Sequence, residues 1–221
     1  MGENPGPTFA PPRLMVITDT VRYGLARTLE RVRAVATEAC PGSVVVQLRD
    51  HDLSARERLD LGEQLRAITL VLGQRFVVND RLDLALLLGA DGVHLGEQSV
   101  GPGDARRLLG PGSWVSQARH TEADALGSEA DAVVFSPVIA VRKGRRAHGL
   151  EALARLCQGI EQRCASGHRP WVYALGGVDA RNARACLGAG ATGVAVIGAV
   201  FEADSASQLV EALGVLRSSR A

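Results

Sequence analysis

The sequence is poor in lysine, aromatic residues, net charge and long apolar runs. Lys143 is its single lysine, so that 24 of the 25 cationic residues are arginine, and 24 acidic residues bring the formal charge to +1. Such a balance offers no sequence-independent grip on a nucleic-acid backbone or an anionic membrane surface, and neither is expected as a partner. The aromatic share of 4% does nothing to reverse that expectation. No apolar run approaches the ~20 residues that a membrane span needs. The N-terminus lacks the charged start and apolar stretch of a secretory signal, and Gly6 stands where a myristoylation signal wants Ser or Thr. A cytoplasmic protein is expected. The four cysteines, Cys40, Cys157, Cys164 and Cys186, show no Cys-x-x-Cys spacing, which favours reduced packing thiols over a zinc or redox site.

What the chain has in quantity is apolar residues, 46%, and 25 glycines. That is enough for one domain with a sizeable core. Residues 1–12 carry four of the nine prolines and are expected to form a disordered lead-in; the folded domain is expected over 13–221.

Short apolar runs then alternate with longer helical patterns. Strands are predicted over 14–18, 44–48, 75–78, 92–95, 114–117, 132–135, 171–174 and 193–196. Most are continuous apolar runs, which suit strands buried on both faces and hence a parallel sheet. Helices are predicted over 23–39, 54–72, 82–88, 102–109, 122–128, 150–164, 179–187 and 205–217, with Ser54 and Asp179 as natural N-caps. Eight strand–helix pairs match a single (β/α)₈ TIM barrel better than a doubly wound sheet. Segments 89–96, 129–136 and 190–197 repeat one pattern of helix end, tight turn and buried strand.

In such a barrel, reactive groups come from the C-terminal strand ends and the loops that follow. Gly176-Gly177 follows the seventh predicted strand and Gly198 the eighth. Glycines let backbone N–H groups approach an anion, and this is the usual barrel phosphate position; tight turns are the competing account. Asn79-Asp80 ends the third strand. The Asp80 carboxylate suits one face of a Mg²⁺ whose other ligands are water and phosphate oxygens, or it caps the next helix. Arg49 carries a fixed charge in a forked geometry suited to phosphate, or it is an ion-pair partner. His94 and His120 fit core histidines as well as acid–base groups.

These residues, in order, resemble the thiamine phosphate synthase/TenI (thiazole tautomerase) superfamily. The likeness runs from about Leu14 to Phe201: Val-Ile-Thr-Asp, Gln-Leu-Arg, Val-Asn-Asp-Arg, Gly-Ala-Asp-Gly-Val-His-Leu-Gly, Ser-Pro-Val, Leu-Gly-Gly-Val and Gly-Ala-Thr-Gly-Val-Ala-Val-Ile. It implies coupling of a hydroxymethylpyrimidine pyrophosphate to a thiazole phosphate. In the reaction so implied, pyrophosphate would leave while Mg²⁺ and cationic side chains absorb its charge, and the thiazole nitrogen would capture the pyrimidine methylene cation. Carried over by position, Arg49, Asn79 and Lys143 would be catalytic, and Asp80 would hold the metal. Gln47, Arg49, His51, Asn79 and His120 would bind substrate, with Gly176, Gly177 and Gly198 on the thiazole phosphate. Small phosphate compounds are the partners implied, and a homo-oligomer stays open.

The departures gather on the pyrophosphate side. Gln-x-Arg-Glu-Lys reads Gln47-Leu48-Arg49-Asp50-His51, so His51 replaces a lysine. The second metal carboxylate falls on Ser99, with Glu97 as a substitute two residues earlier. The fifth-strand serine is Ala118, and the serine after the eighth strand is Gly198. Lys143 meets the family lysine only across a one-residue gap, within the basic loop Arg142, Lys143, Arg145 and Arg146. A fixed cation 4 Å from an anion is worth ~4 kcal/mol at an effective dielectric of 20, so these changes weigh on activity. A TenI-like tautomerase tolerates loss of metal ligands, yet its histidine would fall on Pro137. A catalytically silent barrel that binds a phosphate ligand or a partner is the third reading.

Overall fold

The computed structural model describes residues 9–142, 144–163, 169–202 and 205–217. Its sheet closes in chain order through β1 (Leu14–Ile17), β2 (Val44–Leu48), β3 (Arg75–Asn79), β4 (Gly92–Leu95), β5 (Trp114–Arg119), β6 (Ala132–Phe135), β7 (Trp171–Leu175) and β8 (Gly193–Val196). Every neighbouring pair is parallel, and β8 returns to β1 with Leu14 opposite Val194. The expected TIM barrel is the fold observed.

The apolar runs are continuous because each strand is covered twice. Alternate side chains point to opposite faces. Leu14 and Val16 join the layer beneath the helices, while Met15 and Ile17 meet Val45, Val77, Trp114, Val134 and Tyr173 inside the barrel. Phe9 closes the N-terminal end, its ring 6.3 Å from Trp114 and 5.7 Å from Trp171, with the Arg75 guanidinium 4.1 Å from its centroid. Tyr173 donates to the Pro12 carbonyl at 2.6 Å. Of the expected lead-in, residues 9–12 therefore pack against the barrel floor, and residues 1–8 lie outside the described residues.

The helical segments are α1 (Thr20–Tyr23), α2 (Leu25–Glu38), α3 (Ala55–Val71), α4 (Leu82–Leu87), α5 (Pro102–Leu109), α6 (Glu122–Leu126), α7 (Gly149–Arg163), α8 (Ala183–Gly188), α9 (Gly198–Phe201) and α10 (Ser205–Ala212). Ser54 caps α3 as expected, and the structure adds a reciprocal capping box with Glu57. Other boundaries differ. The helix expected over 23–39 is divided at Gly24, whose φ of 78° breaks the helical path. Asp179 does not cap α8, which starts behind Asn182. Its carboxylate instead takes the backbone N–H and guanidinium of Arg181, a charged partner two residues away, and closes a turn of its own. Helix α10 stops at Ala212 because Gly214, at φ 66°, turns the chain so that Leu216 bridges to Ala39. Among the described residues no helix is long and apolar enough to cross a membrane.

Candidate functional site

The β1 and β2 loops are tied by one buried carboxylate. Asp50, 4% exposed, accepts from the Thr20 N–H and hydroxyl, each at 2.5 Å, and from the Thr18 hydroxyl. Thr18 Oγ1 in turn accepts from the Arg49 N–H at 3.0 Å. This fixes the backbone of Arg49, whose half-buried guanidinium lies 3.8 Å from Asp19. At the mouth Asn79 donates to Gln47 Oε1 at 3.2 Å, and Gln47 reaches Met15 Sδ inside the barrel. Gln47, Arg49 and Asn79 thus stand on adjacent strand ends, as expected.

His51 follows directly and is held below the ordinary imidazole pKa. Burial is the first cause and the charges of Arg49 and Arg58 the next, against an opposing pull from Asp80 and Asp52. It is a neutral imidazole near pH 7, so position 51 supplies no fixed charge.

Asp80 leaves β3 in a left-handed conformation, φ 64°. It does not cap α4: that cap falls on Arg81 and makes no side-chain hydrogen bond. The Asp80 carboxylate instead accepts from the Ser99 hydroxyl. Glu97, the other candidate for a second metal carboxylate, turns elsewhere. It pairs with Arg145 at 3.0 Å and lies 4.0 Å from His120 Nε2, and the Arg145 contact pulls its pKa down. Among the described residues no group of three or more His, Cys, Asp or Glu converges as a metal cage. The donors present are one carboxylate and one hydroxyl, which suits a Mg²⁺ held largely by phosphate oxygens and water rather than a resident ion.

His94 is a core histidine: buried, 2.9 Å from Ser116, and pushed down to about 4 by desolvation. His120 sits at the β5 end with Nδ1 2.7 Å from the Ser136 carbonyl. It shares a 390 Å³ hollow with Arg119, Glu97 and Asp124. Lys143 lies outside the described residues; beside it, Arg142 and Arg145 close a backbone bridge. Cys157 and Cys186 are buried, and desolvation raises their thiols to about 11, which keeps them protonated packing groups. Cys164 also lies outside the described residues.

A larger cleft of 620 Å³ opens between the β7 and β8 loops, lined by Gly176, Gly177, Gly198, Arg22, Arg142 and Arg181, among others. Gly176 and Gly177 adopt φ of 101° and 77°, and a Cβ would stand 2.8 Å from Pro137 Cβ at the first and 2.5 Å from Ala140 Cβ at the second. Glycine is required there both for conformation and for contact with the β6 loop. Beside Gly198, Glu202 accepts from Arg22 and Tyr23, each at 2.6 Å. Burial, then this bond, pushes the Tyr23 phenol up to about 12.

Asp50, Arg58 and the partnership of Ser99 with Asp80 escaped the sequence reading. Asp50 and Ser99 need contacts across loops, which local pattern does not show. Arg58 did leave a signal: the spacing Arg58, Leu61, Leu65, Ile68 puts a charge on the apolar stripe of α3, and all four are buried.

The family model described as thiamine monophosphate synthase matches residues 14–200. A protein of Thermus thermophilus named thiamine-phosphate synthase is 37% identical over 90% of this chain and 93% of its own. Another of that name, from Gloeobacter violaceus, is 38% identical over 79% of this chain, which spans only 50% of that longer relative. The solved thiamine phosphate pyrophosphorylase from Pyrococcus furiosus superposes with a TM-score of 0.75 and 30% identity, covering 91% of this chain and 93% of its own. The closed barrel, the order of polar strand ends and these matches agree, and the chain belongs to the thiamine phosphate synthase/TenI superfamily.

Proposed function

We propose that the chain is a thiamine-phosphate synthase that works with Mg²⁺. The observation that supports this reading is the juxtaposition, on one end of the barrel, of two unlike places suited to an anion. Gln47, Arg49, Asn79 and Asp80 form one at the β2–β3 ends, and the glycine-lined cleft between β7 and β8 forms the other. A coupling enzyme needs both at once, since each substrate carries its own phosphate.

In the reaction the C–O bond of the pyrimidine pyrophosphate breaks, the electron pair leaves with pyrophosphate, and the thiazole nitrogen donates a pair to the methylene carbon. Mg²⁺ bound with the substrate would neutralise the departing charge, with Asp80 holding its protein-facing side. Arg49 offers its guanidinium to the pyrophosphate. Asn79 and Gln47, locked to each other, offer amide groups at the barrel mouth. Gly176, Gly177 and Gly198 admit the thiazole phosphate close to the backbone. Catalysis here is positioning and electrostatics, with no side-chain nucleophile required. Pro137 has no proton-transferring group, which supports a synthase over a tautomerase.

The test is the full chain with hydroxymethylpyrimidine pyrophosphate and thiazole phosphate, with and without Mg²⁺. Mg²⁺-dependent formation of thiamine phosphate and pyrophosphate is expected. Proton exchange on a thiazole carboxylate phosphate without coupling would replace this reading with the tautomerase. Binding of thiazole phosphate with neither reaction would replace it with a silent barrel.

A further inference from the structure

Arg58 is the odd charge in this barrel. It projects from the apolar face of α3 and is 7% exposed. Its guanidinium donates to the His51 carbonyl at 2.8 Å and the Leu53 carbonyl at 3.3 Å, and its Nε has no partner. No carboxylate pairs with it among the described residues. Arg75, Arg106 and Arg119 also have an unpartnered Nε, but Arg75 and Arg106 form ion pairs with Asp91 and Asp131. Arg119, bonded to Gln117 at the β5 end, is only partly buried, so Arg58 is the most deeply buried of the described guanidinium groups with no carboxylate. A buried cation without an anion is costly. The two carbonyls relieve that cost only in part, since they satisfy N–H groups and carry no charge.

The position of this charge explains what balances it. The β2 loop whose His51 and Leu53 carbonyls Arg58 holds also carries Arg49, and the charges of Arg49 and Arg58 both act on the His51 ring. Arg49 has only a long, partly exposed contact with Asp19. Two guanidinium groups therefore flank a neutral imidazole at the loop assigned above to pyrophosphate. We infer that Arg58 is a positioning residue for the pyrophosphate group, holding the 51–53 loop and adding a buried positive charge that is compensated when the ligand arrives. It touches no substrate; it acts through the loop and through its field, which the low-dielectric interior screens weakly.

The inference rests on the synthase reading, and the experiment separates the two. Inorganic pyrophosphate binding is measured by titration calorimetry for the full chain, Arg58→Gln, Arg58→Lys and the double variant Arg58→Gln/His51→Lys, alongside the KM of each substrate. Gln retains a donor for the carbonyls and drops the charge. Arg58→Gln should weaken pyrophosphate binding about tenfold and raise the KM of the pyrimidine pyrophosphate alike, leaving the KM of thiazole phosphate unchanged. Arg58→Lys should recover most of the loss, and His51→Lys should restore it from within the loop. The salt dependence of binding should flatten in Arg58→Gln. If that variant does not fold, Arg58→Met, which suits the apolar face, takes its place. A folded neutral variant that binds pyrophosphate within about twofold of the parent would overturn the inference and leave the synthase reading intact. So would a Lys variant as weak as Gln, because the role would then be a tether rather than a charge. A parent chain that neither binds pyrophosphate nor forms thiamine phosphate would remove both.

Discussion

Ser99 hydrogen-bonds through its hydroxyl to the Asp80 carboxylate, across the β3 and β4 loops. At the position proposed above for Mg²⁺ the chain therefore offers one carboxylate, and the hydroxyl occupies one of its lone pairs. Ser99→Asp should lower the Mg²⁺ concentration for half-maximal synthesis by about three- to tenfold, as a second anionic ligand is added. The probe for loss of the first ligand is Asp80→Asn, because Asn tolerates the φ of 64° that Ala would strain. That variant should lower kcat by about a hundredfold or more and be rescued poorly by added Mg²⁺. A Ser99→Asp protein with an unchanged Mg²⁺ requirement would show that no metal lies between these loops.

The glycine pair permits a test in which backbone and steric costs separate. Gly177→Ala must keep φ near 77° while its Cβ meets Ala140 Cβ at 2.5 Å and Ala140 N at 2.8 Å. About 2–3 kcal/mol of destabilisation follows, a fall in Tm of roughly 5–10 °C. Gly144 has a similar φ of 75° with nothing within 4 Å, so Gly144→Ala should cost only the conformational share, about 1 kcal/mol. Thermal unfolding of the two variants checks the difference. The KM for thiazole phosphate should rise in Gly177→Ala.

The barrel was legible because its physics is local. A strand covered on both faces must be apolar throughout, and β2, β4, β6 and β8 fall on the residues predicted. The strand ends were legible for the same reason: polar residues such as Asn79-Asp80 appear where cover stops. The four residues of α9 have no period to read, and α1 hides behind Gly24. Least legible were long-range pairings. Nothing near Glu97 in the chain announces Arg145, 48 residues on, and nothing near Asp50 announces Thr20, 30 residues back.

That last pairing makes its own prediction. Asp50 gathers three hydrogen bonds in a buried setting, and removing it takes this acceptor from the Thr20 N–H and hydroxyl, while the Thr18 hydroxyl keeps the Gln47 carbonyl at 3.2 Å. Asp50→Ala should cost about 2–4 kcal/mol, more than a surface carboxylate. Thr18→Val removes one of the three donors to Asp50 together with the relay to Arg49, leaves both Thr20 bonds in place, and should cost about 1 kcal/mol while raising the KM for the pyrimidine pyrophosphate. Urea unfolding and steady-state kinetics on the pair separate the structural share from the positioning of Arg49. Equal stability losses would contradict the hierarchy.

His94 connects the core to pH. Its folded-state pKa is about 4, below the ordinary 6.5, because burial beside Ser116 penalises the imidazolium. Between those values the unfolded chain binds a proton that the folded chain refuses. Stability therefore falls as pH drops from 6.5 towards 4, by up to about 3 kcal/mol, and this contribution levels off below the lower value. His94→Asn keeps a polar partner for Ser116 and has no proton to gain. Its urea midpoint should be lower at pH 7, since the side chain is smaller, yet should vary less than the parent's between pH 6.5 and 4.5. If both proteins lose stability with the same slope across that window, His94 is not the group that opposes folding in acid.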